Sequence, residues 1–227
     1  FAILGEKPAA PVPTVFFFGG PIAASGVEIV PFLLEHGYLY VSLDTPDHGQ
    51  NRDPGEPRDG MEGWRYRIEN KRNFIPEFNK KVSRVLDYLI AEGYTDPERV
   101  AVVGGSRGAF LAFHYAASDP RVKCVAGQIP VTELRALSEF RGMENDSLTK
   151  SLSVMNLAEK FAGRNVQVII GDCDGRVGTD HAIAFARRVS KVARGANVEL
   201  HVVPGGHHGM ECLGTLTDVW LRKHFSR

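Results

Sequence analysis

The sequence has no excess of charge of either sign. Lys and Arg total 27, Asp and Glu total 27, and the formal net charge is zero. A strongly basic chain would suit nucleic acid or an anionic membrane; a balanced one makes both poor first partners, and no nucleic-acid partner is expected. Cysteine is scarce. The three residues, Cys124, Cys173 and Cys212, are scattered and form no C-x-x-C pair, which argues against a disulfide framework and against structural zinc. The odd count leaves at least one thiol free and favours a reducing compartment. No apolar run approaches the roughly 18 residues of a spanning helix, so no membrane span is expected. Internal repeats and low-complexity tracts are missing. The chain begins with Phe1 and not Met, so a signal peptide ahead of it stays open. The sequence does not address oligomeric state.

What is present reads as one globular domain over 1–227. The chain has 227 residues, of which 43% are hydrophobic and 24% charged, ordinary values for an α/β domain. Short runs rich in Val, Ile and Phe, bounded by Gly, Pro or Asp, predict strands at 15–18, 38–43, 100–103, 124–129, 166–170 and 198–203. Helical periods lie between them. Phe78, Val82, Val85, Leu86, Leu89 and Ile90 follow a 3.6 spacing that stops at Gly93. Further helices are expected at 110–117, 179–194 and 209–225. Strands without polar alternation, separated by helices, imply a mostly parallel sheet covered on both faces. The Gly- and Pro-rich stretch 44–63 reads as a long surface excursion. Residues 132–155 read as a second excursion, too short for a separate lid domain.

In such a sheet, chemistry collects beyond the carboxyl ends of the strands. After strand 100–103 comes Gly104-Gly105-Ser106-Arg107-Gly108, a G-x-S-x-G between a strand and a helix. The turn is so tight that side chains two positions either side of the serine would collide with neighbouring backbone. The serine stands strained and exposed at a helix N-terminus, where a developing anion is favoured. A glycine-rich turn that merely packs tightly is the plain alternative. Phosphate cradling fits less well, because G-x-G-x-x-G and G-K-[ST] spacings are missing. A serine hydroxyl needs a base, itself oriented by an acid. Asp172 and Asp174 follow strand 166–170, and His207 and His208 follow strand 198–203. The order Ser, Asp, His is that of α/β-hydrolases.

These segments carry a family resemblance over nearly the whole chain. With Phe18-Gly19-Gly20-Pro21, Asp44-Thr45-Pro46-Asp47-His48-Gly49 and Pro130-Val131-Thr132-Glu133-Leu134, the sequence resembles the dienelactone-hydrolase and prolyl-oligopeptidase-like esterases of the α/β-hydrolase superfamily. The resemblance implies an α/β-hydrolase fold without a separate lid domain. It implies a serine hydrolase that cleaves carboxylic esters of small or medium size through an acyl-enzyme. A peptidase, a thioester or lactone hydrolase, and a non-catalytic binding protein of the same fold are the alternatives. The group's G-x-x-D-x-x-V loop falls on Gly171, Asp174 and Val177, which implies Asp174 as the acid. Its P-G-x-G-H-G loop has glycine directly after the base, which implies His208 followed by Gly209 and leaves His207 at the rim. The group's nucleophile-and-next-residue arrangement implies an oxyanion hole from the N–H of Arg107. The second donor comes from the loop after the first strand, and since Pro21 has no N–H, Gly20 is the expected one. Two departures stand out: Phe18 replaces a histidine common before Gly-Gly, and Ser106 replaces the cysteine of dienelactone hydrolases proper.

Arg107 beside a nucleophile either holds a substrate carboxylate or pairs with a loop carboxylate such as Asp47; the pairing is expected. His48 is expected to hold the long loop near the elbow. Substrate contacts are expected from Pro21, Trp64, Leu134, Phe140, Met143 and His207. No cofactor and no metal are expected, since the histidines lack a ligand spacing such as H-E-x-x-H. The partner is a small-molecule ester.

Overall fold

The computed structural model describes residues 1–5, 7–20, 29–49, 52, 55–57, 60–208 and 210–225. All six expected strands are present with shifted ends, and a seventh precedes them. The strands are β1 (Ala2–Leu4), β2 (Val12–Phe18), β3 (Leu39–Ser42), β4 (Thr95–Gly105), β5 (Val122–Gln128), β6 (Asn165–Gly171) and β7 (Asn197–Val203). They form one sheet in the order β1-β3-β2-β4-β5-β6-β7. Only β1 runs antiparallel, pairing Ala2 with Ser42. The helices are α1 (Val30–Glu35), α2 (Gly60–Glu69), α3 (Ile75–Ala91), α4 (Arg107–Ser118), α5 (Ser147–Ser151), α6 (Thr179–Val192) and α7 (Cys212–Phe225).

Both faces of the sheet are covered, which is why its central strands lack polar alternation. Along β2, Phe16 and Phe18 enter one core with residues of α3, α4 and α6, while Val15 and Phe17 enter a second core with Trp220 and Leu221 of α7. Successive side chains of a strand point to opposite faces, so one short run supplies both layers. This is the α/β-hydrolase fold expected above.

One region corrects the expectation. The stretch 44–63 is not simply a surface excursion. Thr45 and Asp47 are fully buried, and α2 begins inside it with Met61 turned inward. Two of its glycines, Gly60 and Gly63, belong to a packed helix. A Cβ on Gly60 would lie 2.0 Å from Arg107 Nη1, and one on Gly63 would lie 2.2 Å from Asp47 Cγ. In 132–155 the chain does form short helices, α5 and two 3-10 turns at Leu134–Ala136 and Ser138–Phe140.

Candidate active site

The elbow is defined by close contact at Gly104 and Gly108. β4 ends at Gly105, and Ser106 takes φ 50° and ψ −114° before α4 begins. That left-handed φ costs a non-glycine residue about 1–3 kcal/mol, which neighbours must over-determine. They do. A Cβ on Gly104 would lie 2.3 Å from the Gly108 backbone, and one on Gly108 would lie 1.8 Å from the Phe18 carbonyl. The Ser106 N–H donates to the Gln128 carbonyl (2.8 Å), and the Ser106 carbonyl accepts from Ala109 (3.1 Å) and Val131 (3.1 Å). The sequence pattern thus reflects three backbone segments meeting at one point.

The Ser106 hydroxyl lies 3.1 Å from His207 Nε2. His207 Nδ1 lies 2.9 Å from Asp174 Oδ2. Asp174 is 3% exposed. Its other oxygen accepts the backbone N–H groups of Arg176 (2.9 Å) and Val177 (3.0 Å). A carboxylate held on both oxygens fixes the ring it faces and sets the proton on Nδ1, leaving Nε2 to accept from the serine.

The structure brings together Ser106, Asp174 and a histidine, and the histidine is His207. The expectation of His208 is corrected. The turn after β7 closes one residue earlier than the resemblance implied. Gly205, at φ 131°, starts it. Its N–H donates to Asp172 Oδ1 (2.9 Å), and its carbonyl accepts from the Cys173 N–H (3.1 Å). Asp172 therefore ties the two loops together, and the Gly205 amide holds its carboxyl below the usual range. The first residue after Gly206 then faces Ser106. The signal was present as Gly-Gly directly before His207. His208 packs edge-on against His207, ring centroids 4.9 Å apart, and lines the cavity.

That cavity is about 240 Å³. Ser106, Gly19 and the two histidines border it, with Met61, Val131, Leu137 and Val177 as apolar wall and Arg107 and Arg176 as charged wall. Of the expected substrate contacts, Trp64, Leu134 and Phe140 are fully buried and Met143 is 6% exposed. All four belong to the core beneath the cavity. Trp64 is spent on a bond from Nε1 to the Pro46 carbonyl (3.1 Å) and on Phe74 and Phe110. Pro21 lies outside the described residues. Met61, Leu137, Glu139 and Arg176 were missed. The apolar wall is itself core: Met61, Val131, Leu137 and Val177 pack in the same cluster as Trp64, Leu134, Phe140 and Met143 and also border the cavity.

Gly19 borders the cavity, and Gly20 packs behind it, where a Cβ would sit 3.4 Å from Arg107 Nη2. Arg107 does not pair with Asp47, which instead faces Arg52 at 3.6 Å. Arg107 Nη2 donates to His48 Nε2 (2.8 Å), and His48 Nδ1 lies 3.0 Å from Thr45 Oγ1. Burial and then the Arg107 charge lower the His48 pKa, keeping its Nε2 lone pair available. His48 thus anchors its loop to the elbow. Burial pushes Asp47 up to about 6, against the opposing charge of Arg52.

Residues 63–223 match the prolyl oligopeptidase family, peptidase S9. The chain belongs to that family. It is 26% identical over 158 residues to the mouse (Mus musculus) inactive dipeptidyl peptidase 10, covering 66% of this chain and 20% of that protein. It is 24% identical over 176 residues to acylamino-acid-releasing enzyme 1 of Oryza sativa subsp. japonica, covering 64% of this chain and 22% of the other. The chain therefore spans about a fifth of these relatives' length. Among solved structures, acetyl xylan esterase 1 from Thermoanaerobacterium sp. JW/SL YS485 superposes with a TM-score of 0.72 at 18% identity, over 99% of this chain and 78% of that one. At that identity the likeness is one of fold.

Proposed function

We propose that the protein is a serine hydrolase that cleaves small carboxylic esters through an acyl-enzyme. The observation that carries this reading is the unbroken hydrogen-bonded chain from Ser106 through His207 to Asp174 at the wall of a small cavity. Ser106 Oγ attacks the ester carbonyl while His207 Nε2 takes its proton. Asp174 holds the ring and the imidazolium that forms. The tetrahedral oxyanion is held by the N–H of Arg107, at the first turn of α4, and by that of Gly20. His207 then returns the proton to the leaving alkoxide. Water repeats the sequence on the acyl-enzyme and frees the acid and Ser106.

A cavity of about 240 Å³ favours short acyl groups. The acetyl esterase among the similar folds accords with that. The relative that releases acylated amino acids and the inactive relative keep two alternatives in view, a peptidase and a binding protein. Turnover of p-nitrophenyl acetate and butyrate, measured on purified wild type and Ser106→Ala, decides among them. Turnover lost in the variant supports the reading. Turnover retained in Ser106→Ala, or a wild type that hydrolyses neither ester, overturns it.

A further inference from the structure

A second cavity of about 290 Å³ adjoins the first, and Leu137 and Arg176 line both. Its wall is cationic. Arg135, Arg141 and Arg176 line it, with Glu144 the one carboxylate in the lining. Two of these arginines are committed. Arg176 brackets Glu139 with two hydrogen bonds, of 2.8 and 2.5 Å, and Arg135 brackets Glu133 at 2.9 and 2.7 Å. Glu144 accepts the Gly142 N–H at 2.9 Å. Arg141 has no ion pair within 4.0 Å among the described residues, although its charge helps hold the Glu144 carboxyl below its usual range after the Gly142 amide, and its backbone is pinned. Arg65 Nη1 donates to the carbonyls of Glu139 (2.6 Å) and Arg141 (3.2 Å), holding that segment against α2.

We infer that this second cavity is a subsite for a carboxylate carried by the substrate, with Arg141 as its specificity-determining residue. The inference rests on the esterase reading above. The space beside Ser106 takes a short group. A longer substituent leaves it over Leu137 and Arg176 and enters a chamber where the Arg141 guanidinium, hydrogen-bonded to no carboxylate among the described residues, offers a planar fork matched to one. The Arg176–Glu139 pair forms the partition between the two spaces and keeps Arg176 from competing for the same group.

Two matched ester pairs place the carboxylate on either side of the scissile bond. Phenyl acetate against para-acetoxybenzoate tests the alcohol side. p-Nitrophenyl butyrate against mono-p-nitrophenyl glutarate tests the acyl side. In one pair, wild type should favour the carboxylated ester about fivefold in kcat/KM, the measure of one partly exposed ion pair, acting through KM. Arg141→Gln should erase that preference and leave the neutral ester unchanged; Arg141→Lys should keep part of it. High salt should shrink it. No preference in either pair, or an equal fall for neutral and carboxylated esters in Arg141→Gln, overturns the inference. Should wild type hydrolyse no ester, the esterase reading fails by itself. A rise in Tm with glutarate or para-hydroxybenzoate, present in wild type and lost in Arg141→Gln, would then still support the subsite, and its absence would overturn it.

Discussion

At Ser106 the glycines two positions to either side are dictated by steric contact, whereas the histidine loop is held by hydrogen bonds to the loop after β6. Both stand beyond carboxyl ends of the same sheet. The elbow rises from β4, a central strand hydrogen-bonded on both sides to β2 and β5. The histidine loop leaves β7, which pairs only with β6 and ends the sheet order. A close-packed turn leaves the sequence one solution. The glycine-rich turn at the edge is held differently, by hydrogen bonds and by the close approach of Gly171, where a Cβ would lie 2.3 Å from the Gly205 carbonyl.

The comparison breaks first on chemistry. Ser106→Ala should lower kcat by roughly 10⁴-fold or more with Tm nearly unchanged, since residues acting as a unit lose most of their effect together. Steady-state kinetics and a thermal melt on one sample check both halves. His207→Ala should be as damaging, while His208→Ala should cost less than about tenfold. Assayed on one ester, the reverse ranking would move the base to His208 and show that the loop rearranges. Next comes the acid. Asp174→Asn should cost roughly 10⁴-fold through the wrong histidine tautomer. Asp172→Asn, which only weakens the tie to Gly205, should cost about tenfold or less.

Stability sharpens the same contrast. Gly108→Ala drives a methyl into the Phe18 carbonyl and should cost about 3 kcal/mol or more. Gly206→Ala meets nothing nearer than the Cys173 carbonyl at 3.8 Å, and should cost under about 1 kcal/mol by denaturant titration. A pH-dependent effect lies behind the elbow. Asp47, raised from 3.8 to about 6, binds its proton more tightly folded than unfolded. Its contribution is therefore present below pH 3.8 and is lost as pH rises through about 6. Asp47→Asn should stabilise the protein by about 1–2 kcal/mol at pH 8 and by little near pH 4. An equal shift at both pH values would refute the titration.

How much could be read beforehand follows the same division. Strands β2 to β7 and α3, α4, α6 and α7 were legible because burial on two faces and on one stripe writes periods of its own. Ser106 was legible because two glycines are obligatory beside it. α2 was not, because Gly60 and Gly63 imitate a loop while serving close approach to Arg107 and Asp47. The cavity wall was not, because apolar size predicts depth in the core and not position at a surface. Phe140 and Leu137, three residues apart, both belong to the core, and Leu137 also borders both cavities.

The edge position of β7 has a consequence for how the protein should fail. Sheet edges open locally at lower free energy than sheet centres. An excursion that frees β7 and its loop would carry His207 away from Ser106 while β2, β4 and β5 stay paired. Inactivation on warming would then precede global unfolding and reverse on cooling. Amide protons of β7 would exchange with solvent long before those of β4.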